Sequence, residues 1–73
     1  MGTEFFSVKF LKVGGITVEH NFNGTSLPLV DALEEAEIDA DGYDVRVNNR
    51  EPKEDEVVMN GDTVLLVPKI AGG

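Results

Sequence analysis

The first part of the chain alternates between hydrophobic and polar residues with the two-residue period of a β-strand. From Phe5 to Val13 the residues are rich in β-branched and aromatic types, which favour strands. The alternation stops at Gly14-Gly15 and then resumes. The alternating positions are Phe6, Val8 and Phe10 before the glycines, and Ile16, Val18, His20 and Phe22 after them. Two alternating segments joined by a Gly-Gly pair predict a β-hairpin.

The period then changes to that of a helix. From Leu27 to Glu37 the apolar residues Leu29, Val30, Leu33 and Ala36 recur at helical spacing, and acidic residues occupy most of the positions between them. Ser26 is a suitable N-cap, and Pro28 is tolerated in the first turn. The polar segment Asp39 to Gly42 ends the pattern. We therefore predict one amphipathic helix of about three turns.

Strand-like segments return after the helix. Tyr43 to Val47 alternates, and Asn48-Asn49 follows with residues that accept the left-handed conformation of a tight turn. Val57-Val58 predicts a short strand. After a turn at Asn60 to Asp62, the segment Thr63 to Val67 is almost continuously apolar, which favours a central and parallel strand.

This order of elements favours an α+β fold with a single domain spanning residues 1–68. If the last strand pairs beside the first, a mixed sheet of four to five strands results, with the helix packed across one face. That arrangement is the ubiquitin-like β-grasp. The remaining residues, 69–73, are expected to form a flexible tail that ends in Gly-Gly.

Three motifs near the C-terminus carry a resemblance to a known family. They are Val45-Arg46-Val47-Asn48-Asn49, Asn60-Gly61-Asp62-Thr63-Val64 and Ile70-Ala71-Gly72-Gly73. A strand with an Asn-rich turn, a Gly-Asp turn, a last strand and a terminal Gly-Gly resemble the ThiS/MoaD family of ubiquitin-like sulfur carriers. The resemblance covers about the last thirty residues, and the rest agrees only in the order of elements.

The resemblance implies that the C-terminus is the reactive group. A ubiquitin-activating-like adenylyltransferase would adenylate Gly73 with ATP, and a sulfur donor would convert the adenylate to a thiocarboxylate. A sulfur-accepting synthase in cofactor or tRNA biosynthesis would then take the sulfur. Gly72 and Gly73 suit a narrow channel, because glycine allows close backbone approach without a Cβ. The chain would bind no cofactor and would itself be a substrate rather than an enzyme.

Two other functions stay open at this point. In a sister branch of the family, a lysine amine on a target protein attacks the activated Gly73, so that the chain becomes a protein modifier. Alternatively, the chain is a β-grasp interaction domain without C-terminal chemistry. The sequence does not choose among thiamine, molybdopterin and tRNA as the destination of the sulfur.

Further residues are candidates for contacts with the partner enzyme. Lys69, Ile70 and Ala71 are expected to lie along the extended tail, where Ile70 either contacts the activating enzyme or packs against its own sheet. If Leu65 and Val67 face the helix, Val64 and Leu66 lie on the uncovered sheet face and form an apolar docking surface. Ubiquitin-like domains generally use that face for binding.

Composition narrows the possible partners. Fourteen acidic residues oppose six basic residues, so the formal charge is −8. This charge disfavours nucleic acids and anionic membranes. It either favours association with a basic protein surface or serves solubility alone. With no cysteine and a single histidine, His20, we expect no metal site. The start of the sequence lacks the basic and apolar regions of a secretory signal, so the expected compartment is the cytoplasm.

Overall fold

A computed structural model describes residues 4–70 and contains one helix and six strands in that range. The strands and helix follow the predicted order, with one additional short strand before the helix. The elements are β1 (Phe5–Lys12), β2 (Thr17–Asn23), β3 (Ser26–Pro28), α1 (Leu29–Glu35), β4 (Tyr43–Val47), β5 (Val57–Met59) and β6 (Thr63–Pro68).

Four of the strands form a mixed sheet in the order β2-β1-β6-β4. The first and last strands, β1 and β6, are parallel neighbours at its centre, and β2 and β4 pair antiparallel to them at the edges. The predicted pairing of the last strand beside the first is therefore confirmed. A separate two-stranded ladder joins β3 to β5. This α+β topology is compatible with the predicted β-grasp.

The predicted turns are present. Gly14 has a φ of 82°, which glycine adopts without strain, and it lies in the turn that joins β1 to β2. Asn48 and Asn49 have φ values of 51° and 70°. The backbones of Val47 and Arg50 exchange two hydrogen bonds of 2.9 and 3.0 Å across these asparagines. Two consecutive left-handed residues are the signature of a tight hairpin turn.

The helix is shorter than predicted and begins later. The segment from Ser26 to Pro28 pairs with β5 instead, and the N–H of Leu29 donates to the carbonyl of Glu56 at 2.9 Å. Pro28 occupies the N-cap position, and no side chain caps the first turn. Ser26 is therefore not the N-cap. The backbone groups of residues 26–28 are already used by the ladder, so they cannot enter a helix.

The helix also ends before the predicted position. Ala36 is the C-cap, and Glu37 has a left-handed φ of 59°. The N–H of Ile38 donates to Leu33 at 2.9 Å, and that of Glu37 donates to Glu34 at 3.0 Å. These two bonds form a Schellman motif, which commonly places glycine at the left-handed position. Here a glutamate occupies that position, so the sequence lacks the glycine that would have predicted the end of the helix.

The core lies between the helix and one face of the sheet. Phe6 and Phe22 stack with their ring centroids 5.3 Å apart, and Phe10 meets Phe22 edge-on at 6.3 Å. The helix contributes Leu29 and Ala32 to this core. The buried hydrophobic residues of the core are Phe6, Val8, Phe10, Phe22, Leu29, Ala32, Val47, Val58, Val64 and Leu66. The face of the sheet that these residues line is called the covered face, and the opposite face is called the open face.

One member of the predicted apolar stripe of the helix is not part of the core. Val30 is 72% exposed, whereas Ala32 is fully buried. Leu33 and Ala36 pack against the core and are partly buried. Because the helix begins at Leu29 and has only two turns, its buried stripe passes through positions 29, 32, 33 and 36 and leaves Val30 on the solvent side.

Candidate functional site

The chain leaves the sheet at the C-terminal end of β6. The N–H of Lys69 donates to the carbonyl of Gly42 at 2.9 Å, just after the strand ends at Pro68. The next residue, Ile70, is 94% exposed. Ile70 therefore does not pack against its own sheet, which was one of its two predicted roles. Ala71, Gly72 and Gly73, the other predicted tail residues, lie outside the residues that the structure describes.

The surroundings of this exit come from both neighbours of β6. Tyr43 lies opposite Pro68 in the β4–β6 ladder, and the Nζ of Lys12 lies 4.8 Å from the centroid of the Tyr43 ring. This distance is typical of a cation–π contact. On the other side, the N–H of Val13 donates to the carbonyl of Leu66 at 2.9 Å. The path of the chain is thus fixed by backbone and side-chain contacts up to Lys69.

The prediction that Val64 and Leu66 form a docking surface on the open face is wrong. Both residues are fully buried, at 0% exposure, within the core. Val64 lies in register with Phe10 on β1 and Val47 on β4, which are also buried. Since side chains alternate along a strand, Val64 and Leu66 must share the covered face with them. Neither residue is accessible to a partner.

The open face nevertheless carries an apolar surface, built from the residues between them. Leu65 and Val67 lie on this face, and Leu11 lies directly in register with Leu65 on β1. All three side chains are partly exposed. We call Leu11, Leu65 and Val67 the open-face patch. The sequence shows which residues of β1 are buried, namely Phe6, Val8 and Phe10. Only the register between β1 and β6, which the structure supplies, shows that Leu65 and Val67 lie on the other face.

Charged residues of both signs border the open-face patch. Arg46 lies in register with Leu65, and Asp44 lies in register with Val67. Lys9 and Glu19 lie opposite one another on β1 and β2 and belong to the same face. An apolar centre with a charged margin is the composition of a surface that binds protein. Of these residues, none was singled out from the sequence as part of a site.

The Asn and Asp residues of the recognised motifs hold the turns together. The side chain of Asn48 donates to Asp62 Oδ1 at 3.0 Å and accepts a hydrogen bond from the N–H of Thr63 at 3.0 Å. Asp62 Oδ2 in turn accepts from the N–H of Met59 at 2.9 Å. The backbone N–H of Asn48 also donates to Thr63 at 2.8 Å. We call this set of bonds the Asn48–Asp62 network.

The same turn is bound to the first strand. Asn60 Oδ1 accepts from the N–H of Ser7 at 3.0 Å, and the N–H of Gly61 donates to the carbonyl of Ser7 at 3.0 Å. Gly61 has a φ of 87°, where a Cβ would introduce strain. These residues account for much of the family resemblance. Their contacts determine the positions of the strands, so these motifs bear on the fold and not directly on sulfur chemistry.

The structure offers little for a metal or a catalytic group within residues 4–70. No three side chains among His, Asp and Glu in that range converge as a metal ion would require. His20 is partly buried, and its ring centroid lies 4.6 Å from that of Phe22 at the margin of the core. This is a packing position. The helix in the same range is not long and apolar enough to cross a membrane.

Comparison with family models, with curated proteins and with solved structures gives no match for this chain. The resemblance to sulfur carriers therefore remains a prediction that depends on the motifs themselves. The structural features available to a functional proposal are the exposed exit of the chain after Lys69, the open-face patch and the strongly acidic charge.

Proposed function

We propose that this protein is a sulfur carrier of the ThiS/MoaD type with a ubiquitin-like β-grasp fold. Its Gly73 carboxylate is adenylated by a ubiquitin-activating-like adenylyltransferase and then converted to a thiocarboxylate. The thiocarboxylate donates sulfur to a synthase in cofactor or tRNA biosynthesis. The sheet order with parallel central strands, and one helix over the covered face, support the fold part of this proposal.

The exposed exit of the chain is the observation on which the proposal chiefly depends. Among the described residues 4–70, Lys69 makes the last backbone hydrogen bond to the domain, and Ile70 is exposed to solvent. Two residues, Ala71 and Gly72, separate Ile70 from Gly73 in the sequence. A short segment that follows an exposed residue could enter the active site of another protein while the domain stays folded. Ile70 would then be buried against that protein, together with the stem of Lys69.

The proposed chemistry needs two steps at the Gly73 carboxyl group. A Gly73 carboxylate oxygen attacks the α-phosphorus of ATP, forming an acyl-adenylate and releasing pyrophosphate. Hydrosulfide supplied by a separate donor then attacks the acyl carbon, so that a C–S bond forms, the C–O bond to AMP breaks and a thiocarboxylate remains. Glycine at both final positions keeps the approach to this carbon free of side chains. The partner enzyme provides the nucleotide site, and this chain provides the carboxylate.

The open-face patch supports a second contact with the activating enzyme. Leu11, Leu65 and Val67 present an apolar surface on the face that the helix does not cover. Arg46 and Asp44 at its border can form charged contacts that orient the partner. The net charge of −8 would accelerate association with an enzyme whose docking surface is basic.

A pyrophosphate-exchange assay tests the proposal directly. The intact chain is incubated with labelled pyrophosphate, ATP and each ubiquitin-activating-like adenylyltransferase of its native host in turn. We expect exchange that depends on this chain and that is abolished when Gly72 and Gly73 are deleted. If the intact chain never supports exchange with such an enzyme, the proposal is wrong.

Matched variants distinguish the effect of the tail on the exchange rate from the effect of the open-face patch on binding. We expect Gly73→Ala to lower the maximal exchange rate strongly, because its methyl group lies beside the reacting carbon. The double change Leu65→Ser and Val67→Ser should instead raise the concentration needed for half-maximal exchange about tenfold, while the maximal rate changes little. Val30→Ser is the control, since Val30 is an exposed valine on the helix. An equal effect of Val30→Ser would contradict the docking role of the open-face patch.

A further inference from the structure

The outer edge of β2 has free backbone groups. In the β1–β2 ladder, Gly24 donates to Glu4 and Lys12 donates to Ile16, which makes the even-numbered positions the hydrogen-bonded ones. Antiparallel ladders alternate between bonded and non-bonded pairs. The N–H and C=O groups of Thr17, Glu19 and Asn21 therefore point away from β1. Within residues 4–70 no strand pairs with this side of β2.

This edge lacks the features that usually prevent strand addition. Proteins often protect edge strands with lysine, proline, bulges or very short length. The β2 strand has seven residues, contains no proline, lysine or arginine, and carries one acidic side chain, Glu19. Its edge is therefore suited to accept another strand.

An apolar groove adjoins β2 on the covered side of the sheet. It has a volume of about 140 Å³ and lies between the β1–β2 hairpin and the loop after the helix. Its lining residues are Phe10, Lys12, Ile16, Val18, Ile38 and Leu66. Ile16 is 75% exposed. A strand added to β2 would direct every second side chain to this side of the sheet, beside Val18. We call this depression the β2 groove.

The charges around the β2 groove determine what kind of segment fits. Ile38 is flanked by the exposed acids Glu37 and Asp39, and Glu19 adds a negative charge on the opposite, open face of β2. The one basic residue in the lining, Lys12, already contacts the ring of Tyr43. A second copy of this chain would add another eight negative charges and be repelled. Basic residues around an apolar anchor are complementary to this surface.

We propose that β2 and the β2 groove bind an extended, basic segment of a partner protein by strand addition. The segment would form backbone hydrogen bonds with Thr17, Glu19 and Asn21, and would insert one apolar side chain into the groove. This surface is separate from the open-face patch and does not depend on chemistry at Gly73.

Hydrogen exchange with a model peptide tests the proposal. The probe is an end-capped seven-residue peptide in which isoleucine and lysine alternate, and the comparator replaces lysine with glutamate. Each peptide is added separately to the full-length, ¹⁵N-labelled protein. We expect the amides of Thr17, Glu19 and Asn21 to exchange at least tenfold more slowly when the lysine peptide is at saturation. The glutamate peptide should bind at least tenfold more weakly.

Two pairs of variants locate the binding. Ile16→Ser should weaken binding about fivefold, since part of one apolar contact is lost, whereas Val30→Ser at a similarly exposed valine should leave it unchanged. Glu19→Pro should abolish the slowed exchange at Thr17 and Asn21, while Glu19→Gln retains it. Because the Glu19 N–H points away from β1, proline there does not remove a bond of the ladder. If Glu19→Pro fails to fold, the Ile16 and Val30 pair still decides the matter.

Several results would overturn the proposal. One is a set of peptide-induced shifts centred on Leu65 and Val67, which would place the binding on the open face. Equal affinity for the lysine and glutamate peptides would show that the site does not select a basic segment. Slowed exchange of β2 amides that appears on concentrating the protein alone would identify a second copy as the occupant instead. Deletion of Gly72 and Gly73 should change none of the peptide results.

Discussion

The two faces of the central sheet are built from the same strands but differ in what contacts them. On the covered face, Val64 and Leu66 are completely buried against the aromatic residues of β1 and β2. On the open face, the intervening Leu65 and Val67 are partly exposed and are bordered by Arg46 and Asp44. Neighbouring positions of a single strand thus contribute to stability in one case and remain available for binding in the other.

The comparison shows why the apolar content of β6 could not reveal its function. Alternation distinguishes the two faces when one set of residues is polar, as in β2. In β6 both sets are apolar, so the sequence of the strand does not show which set faces the core. The orientation follows from the parallel register, in which Val64 lies beside the buried Phe10 and Leu65 lies beside Leu11. Pairing between distant strands supplies information that local pattern lacks.

The largest expected difference is between equal truncations on the two faces. Leu66→Ala should lower the free energy of unfolding by about 2–5 kcal/mol, since it leaves a cavity in a fully buried site. Leu65→Ala should cost less than about 1 kcal/mol, because its side chain is partly exposed. Urea unfolding followed by circular dichroism measures both. Equal losses would contradict the assignment of the two faces.

The Asn48–Asp62 network offers a smaller effect at the end of β6. Asp62→Ala removes the acceptors for Asn48 Nδ2 and for the N–H of Met59, so we expect a loss of about 1–2 kcal/mol. Asp41→Ala is the matched control, since Asp41 is exposed and lies outside the network. Its effect should stay within about 0.5 kcal/mol. A comparable loss in both variants would mean that the network adds nothing specific.

The smallest effect should be a gain in stability at the end of the helix. Glu37 holds a left-handed φ of 59° in the Schellman motif and places a negative charge near the helix C-terminus. Glu37→Gly removes the backbone strain and the unfavourable charge. We expect thermal unfolding to show that the free energy of unfolding rises by about 0.5–1 kcal/mol. Glu34→Gly, one residue inside the end of the helix, should instead lose about 0.5–1 kcal/mol. Destabilisation by Glu37→Gly would contradict the observed helix end.

Some elements could be predicted because their signals are local. The Gly14-Gly15 hairpin and the Asn48-Asn49 turn depend on residues that tolerate positive φ, and both are present. The helix boundaries could not be predicted, because pairing of residues 26–28 with β5 competes with helix formation at one end. At the other end Glu37 occupies a position where glycine is expected. Both outcomes depend on tertiary contacts.

The sequence predicted some parts of the candidate site better than others. Ile70 is exposed, so it is accessible for the predicted partner contact, which stays a prediction. The choice of Val64 and Leu66 for the open face was wrong by one residue, which moves every side chain to the opposite face. The edge of β2 gave no signal, because a strand's position within a sheet depends on which other strands pair with it.

Intact mass spectrometry of the untagged protein from its native host tests directly whether it carries sulfur. We expect a population heavier by one oxygen-to-sulfur exchange, with the added mass located at a C-terminal Gly73. A species in which this chain is linked through Gly73 to a lysine of another protein would instead identify a protein modifier. If the protein carries only a free carboxylate in the presence of its adenylyltransferase and sulfur donor, and no linked species is found, the sulfur-carrier account is contradicted.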